Sequence, residues 1–145
     1  MQAALSHLED DILSPYELPS NRLSRTMYND LVMPWTMDPP SAAFPIAFHV
    51  RREWNRNGDL AGETDFFGGS QEMSLKDFYR ALGTSSMVTR WRENNPELAG
   101  TEQDCVKLTL KRVALAMGAN PEDIETTKLK GGCATVLLMF KRGPD

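Results

Sequence analysis

No Gly-x-Gly triplet occurs in this 145-residue chain. The turn that leaves a strand, opens a helix and cradles a dinucleotide phosphate is therefore missing from the sequence. The two adjacent glycine pairs, Gly68-Gly69 and Gly131-Gly132, do not stand between a predicted strand and a predicted helix. Histidine is scarce: His7 lies in a polar N-terminal stretch and His49 on the polar side of a predicted strand, neither with an evident acid–base partner. His49 and Glu53 fall on one side of that strand but roughly 13 Å apart, too far to work as a pair. Cys105 and Cys133 have no metal-site spacing and read as reduced structural thiols. No apolar run reaches 18 residues, and the N-terminus has neither a basic start nor an apolar signal core, so a cytoplasmic protein with no membrane contact is expected. The net charge is -4, and the one local concentration of arginine (Arg51, Arg52, Arg90, Arg92) has acidic neighbours. Nucleic acid is not an expected partner, because phosphate binding needs a clustered basic surface.

What is present fits a globular piece. With 41% hydrophobic and 25% charged residues the chain lies outside the disordered and fibrous classes, and one domain over 1–145 is the natural expectation. A polar helix is predicted near Ala3–Asp11, then a helix capped by Ser20 or Asn21 with a stripe of Leu23, Met27 and Leu31 that Pro34 ends. Ile46 to Trp54 alternates, with Ile46, Phe48 and Val50 predicted on the covered face and Ala47, His49 and Arg51 on the other. Residues 55–71 read as a long glycine-rich loop of the kind that lines a site. Ser74 caps a helix whose stripe is Leu75, Phe78, Tyr79 and Leu82, and Gly83 is expected to end it in the left-handed conformation. A further helix starts at Thr84 or Ser85 and stops before Asn95-Pro96. Thr101 is the expected cap, with Asp104 closing a capping box, of a helix presenting Val106, Leu110, Val113 and Met117 before Gly118. Cys133 to Arg142 is the second strong strand, apolar on both faces, which asks for cover on both sides.

Four blocks carry a family likeness: Asn21-Arg22-Leu23 with Met27-Tyr28-Asn29-Asp30-Leu31 and Pro34-Trp35; Arg51-Arg52-Glu53-Trp54; Met73 to Glu93, with Thr84-Ser85-Ser86 at its turn; and Val136 to Arg142. In this order they resemble the C-terminal half of fungal class I S-adenosylmethionine-dependent methyltransferases related to trans-aconitate methyltransferase. Ser85 stands where many members have Trp. The resemblance implies an α/β family fold, α+β in this chain alone: two main antiparallel strands packed with about four helices, without the N-terminal cofactor-binding half. It implies no cofactor in this chain by itself, and S-adenosylmethionine only where a partner supplies the missing half. Enzyme status stays open, leaning by family to a methyltransferase-like transferase of secondary metabolism.

The substrate-binding candidates are Tyr28, Trp35, Trp54, Thr84, Ser85, Arg90 and Trp91; no catalytic residue and no metal ligand is assigned. Trp91 can lay its indole on a planar ligand while a neighbouring guanidinium forks onto a carboxylate. The alternative is a core Trp, which the spacing favours, since residues one apart on a helix point different ways. Thr84 and Ser85 either bond a substrate oxygen or cap helices. Trp35 and Trp54 either wall a pocket or pack on the sheet, and Tyr28 either offers its hydroxyl or packs. Methyl transfer needs mainly alignment, so chemical silence is compatible with it.

A two-stranded ribbon is marginal alone, so the open side of the 133–142 strand calls for a homodimer or a partner protein. Three functions follow as expectations: a small-molecule pocket, for a secondary metabolite or carboxylic acid, completed by a dimer or partner; a non-catalytic scaffold; or a cofactor-free cyclase or isomerase in the inherited pocket.

Overall fold

A computed structural model describes residues 1–56 and 67–143. Among these residues the architecture is mixed, α+β, with five α-helices and two two-stranded sheets. The helices are α1 (Gln2–Ser6), α2 (Pro19–Arg25), α3 (Leu75–Gly83), α4 (Ser86–Asn94) and α5 (Cys105–Ala116). The strands are β1 (His49–Trp54), β2 (Gln71–Ser74), β3 (Lys128–Gly131) and β4 (Thr135–Phe140). Contacts divide the chain into two compact units, Met1–Leu18 with Glu72–Lys130, and Pro19–Gln71 with Gly131–Asp145.

In the first unit α1 runs on into a wider π-turn over His7–Ile12. That turn brings Leu8 and Leu13 against Met87, Val88 and Trp91 of α4 and against Cys105 and Val106 of α5. A second cluster joins Leu75 of α3, Leu110, Val113 and Ala114 of α5, and Leu129 of β3. Asp104, not Thr101, is the N-cap of α5, its carboxylate accepting from the Val106 amide at 2.9 Å. Thr101 instead shapes the preceding turn, donating its hydroxyl to Leu98 O at 2.7 Å. Gly118 does end α5, at φ +70°, where a side chain would be strained. Gly83 behaves otherwise: it stays inside α3, and Thr84 closes the helix with right-handed backbone angles. The four-residue strands β2 and β3 pair with each other and were not expected, being too short and polar to show a period.

Within this core, burial pushes the Cys105 thiol up to about 11, whereas Cys133 is exposed. A thiol reacts as its thiolate. A disulfide reagent at neutral pH is therefore expected to label one thiol per native chain and two after urea unfolding; two fast thiols in the native protein would contradict this core.

In the second unit β1 and β4 pair antiparallel, His49 opposite Phe140 and Trp54 opposite Thr135. β1 starts at His49 because Ile46–Phe48 form a 3₁₀ turn after Pro45, and β4 is shorter than expected at both ends. The faces of β1 are the reverse of the prediction. Ile46, Phe48 and Val50 are 62%, 41% and 42% exposed, while His49, Arg51 and Glu53 are half-buried. Alternation fixes which residues share a face, not which face is covered. The polar face is covered because its groups find partners. The Arg51 guanidinium donates to Met27 O at 2.6 Å, Asn29 Oδ1 at 2.8 Å and Glu53 Oε1 at 2.6 Å. The His49 ring stacks on Phe140. The Met27 carbonyl is presented by a helix end of the Schellman type: α2 stops at Arg25, Tyr28 N reaches Leu23 O, Met27 N reaches Ser24 O, and both residues have positive φ. The expected stripe through Leu31 is therefore broken at Met27. The loop expected over 55–71 lies largely outside the described residues.

Candidate small-molecule site

The first unit holds a cavity of about 270 Å³ between α5, α3 and the segment that follows α5. Its apolar lining is Tyr79, Leu110, Pro121 and Ile124, and its rim carries Lys107, Lys111, Glu102 and Glu122. Each wall has a local cause. Lys107 and Lys111 are one helical turn apart, so both project from the same side of α5, next to the stripe that buries Val106, Leu110 and Val113. Tyr79 comes from α3, whose first amides are spoken for. The Asp77 amide donates to Ser74 Oγ, the Leu75 amide to Thr127 O and the Lys76 amide to Ile124 O. Those last two bonds fix the 121–127 segment against α3, helped by the Asn120 side chain accepting the Glu122 amide at 3.1 Å.

The remaining wall is the turn before α5, held by Asp104. This fully buried carboxylate accepts from Arg92 Nε at 2.8 Å and Nη2 at 3.1 Å and from the Gly100 and Val106 amides at 2.9 Å each. Desolvation by burial alone raises its pKa. The Arg92 bonds and the two amides outweigh it, so the carboxyl sits below the ordinary range. Arg92 in turn is held above its usual value, first by its bond to Asp104. Fixed in this way, the turn presents Glu102 to both lysines: Lys107 Nζ lies 3.2 Å from Glu102 Oε1, and Lys111 Nζ 2.8 Å from Oε2. Lys111 and then Lys107 lower the Glu102 pKa, and Glu102 raises that of Lys111. The result is an apolar pocket with two ammonium groups converging on one carboxylate position.

None of the seven candidates drawn from the sequence lines this cavity. In the first unit, Thr84 Oγ1 donates to Ala81 O at 2.7 Å, and Ser85 is the N-cap residue of α4 with no capping bond from its hydroxyl. Trp91 is 8% exposed in the core, and Arg90 Nε donates to Tyr16 O at 2.8 Å. The fork onto a carboxylate exists, but it is made by Arg92 onto Asp104. In the second unit, Trp35 meets His49 at 4.9 Å and Phe140 at 5.9 Å between ring centroids, Trp54 meets Phe67 at 5.2 Å, and Tyr28 is exposed on the turn after α2. His49 Nε2 in that aromatic group is buried without a hydrogen-bond partner among the described residues. Neither glycine pair opens a helix: Gly69 leads into β2, and Gly131 closes β3 ahead of β4. Among the described residues neither pair stands between a strand and a helix, the place a nucleotide-binding turn takes. Compared with known proteins, the chain matches no family model, no curated protein and no solved structure.

Proposed function

We propose that this chain is a methyltransferase-like protein that binds a small organic molecule and does not hold S-adenosylmethionine by itself. The observation that carries the binding reading is the cavity of the first unit, where an apolar floor meets a few convergent polar groups, the usual makeup of a small-molecule site. Its volume falls just under the usual range of such sites and suits a small ligand. The four sequence blocks support the methyltransferase-like origin, and the placement of the two glycine pairs supports the lack of a cofactor turn. A second reading, self-association, is favoured by β4. This six-residue strand has no charged residue, pairs with β1 in a two-stranded sheet, and leaves Met139 and Phe140 43% and 38% exposed.

Thermal unfolding tests the first reading. A ligand at 100 times its dissociation constant adds about 2.7 kcal/mol. S-adenosylmethionine at millimolar concentration is expected to leave the midpoint unchanged, while aromatic or aliphatic fragments that fit the cavity raise it. An upward shift with S-adenosylmethionine would overturn the cofactor statement, and no shift with any fragment would overturn the pocket. Solution mass, measured on the same samples, is expected to be that of a dimer; a monomer removes the second reading.

A further inference from the structure

The contacts of Glu102 are unusual for a surface carboxylate. Its side chain is 72% exposed, yet each of its oxygens is taken by a different lysine. Lys107 is itself anchored, donating to Gly100 O at 3.0 Å, so its ammonium is set in place whether or not Glu102 is there. Among the described residues Lys111 has no such second bond, and Glu102 sets its position at the rim. From the same rim the apolar surface of Tyr79, Leu110, Pro121 and Ile124 runs inward. Glu102 thus occupies the charged side of this arrangement.

We propose that Lys107 and Lys111 form a receiving clamp for an organic acid, and that Glu102 is its tethered, displaceable occupant. The inference rests on the binding reading of the same cavity. A ligand carboxylate between the two lysines regains both charge-assisted bonds and places its hydrocarbon body on the apolar floor. Displacing Glu102 costs little, because exposed ion pairs are weak and Glu102 moves into water. The hydrogen bond to Glu102 holds the Lys111 pKa above its usual value. Glu122 on the same rim adds a repelling charge, so the clamp selects a monoanion over a dianion. Uncharged analogues gain only the apolar floor. The site is thereby self-gated: the protein carries a weak internal competitor at very high local concentration.

The test uses the full chain with 3-phenylpropionate and its uncharged counterpart 3-phenylpropionamide, titrated by NMR into the wild type, Glu102→Gln and the Lys107→Gln/Lys111→Gln double variant. The acid is expected to bind the wild type more tightly than the amide does. Glu102→Gln should tighten acid binding by up to about fivefold, the factor an exposed ion pair is worth, and leave the amide unchanged. The double lysine variant should weaken the acid at least about tenfold and bring it level with the amide. Added salt should weaken the acid alone. Equal binding of acid and amide in the wild type and in Glu102→Gln overturns the clamp while the pocket reading stands. No binding of either compound to any variant overturns both. Glu102 and Lys111 have exposed side chains and Lys107 is half-buried, and an unchanged far-UV spectrum checks that each variant is folded.

Discussion

Replacing Asp104 by Ala is expected to lower the unfolding free energy by about 3 kcal/mol, read as a fall in the urea midpoint at unchanged slope. The carboxylate is the node of the first unit. It caps α5, ties the Gly100 amide and receives the Arg92 fork, and its own side chain is fully buried. Removing one partner of a buried pair costs about 3–5 kcal/mol because the other charge is stranded. Arg92 is 28% exposed, so water partly solvates it and the lower end applies. Loss of the cap, about 1 kcal/mol by itself, is contained in that figure. The pH dependence has a definite sign. The folded pKa of Asp104 lies below its unfolded value, so its contribution is fully present above about pH 4 and is lost as pH falls through the lower folded value. Asp104→Asn keeps one oxygen for the amides but cannot titrate. Its stability should decline less than that of the wild type over the same acid window, when urea midpoints are compared from neutral pH downward. Parallel acid limbs for the two proteins would mean that the Arg92–Asp104 pair does not set the acid response.

The same site shows why part of the structure could be read from sequence and part could not. The end of α4 at Asn94 was legible because Asn95-Pro96 is a local steric fact. The apolar stripe of α5 was legible because Val106, Leu110 and Val113 repeat with the helical period. The start of α5 was misplaced for a tertiary reason. Thr101 and Asp104 are both good cap residues, and the choice falls to Asp104 because Arg92, twelve positions away, meets it there. The face of β1 was inverted for a similar reason. Apolar Phe48 and Val50 looked inward by composition, but Arg51 finds the Met27 carbonyl 24 residues back, and that carbonyl is aimed by positive φ at two non-glycine positions. No local rule writes that turn into Thr-Met-Tyr. The lysine clamp had one legible signal, the four-residue spacing of Lys107 and Lys111. Glu102 lies on a turn five and nine residues away, outside any helical repeat, so only the folded turn shows that it serves both. The aromatic candidates were chosen by residue type, which marks packing as readily as binding. Trp91 packs in the core, and Trp35 and Trp54 lie tilted against neighbouring rings.

In the second unit the largest single effect is expected at Asn55, where alanine should cost about 3 kcal/mol. Asn55 follows β1 at φ 54°, is 7% exposed, and sends its side-chain NH₂ to Gly69 O at 2.9 Å and Cys133 O at 3.1 Å. One amide group thereby joins the end of β1 to the segments that precede β2 and β4. The orientation of the amide follows from its partners. Both are carbonyl oxygens, so the nitrogen must face them, and Oδ1 is left buried with no partner among the described residues. Alanine removes two bonds worth about 1 kcal/mol each and places a Cβ residue lacking asparagine's tolerance at left-handed φ, for about 1 kcal/mol more. Asn55→Gly separates the two contributions. It loses both bonds but adopts this backbone freely, so it should cost about 1 kcal/mol less than alanine in the same urea titration. Equal losses for glycine and alanine would remove the backbone part of the argument, and losses under about 0.5 kcal/mol for both would remove the clamp. Asn55→Asp gives the sharpest sign. A buried carboxylate facing two carbonyl oxygens is opposed by desolvation and by their dipoles, and only its protonated form can donate to one of them. Its folded pKa is raised, so this variant should be the least stable of the three at neutral pH and regain stability relative to alanine as pH falls below the raised value.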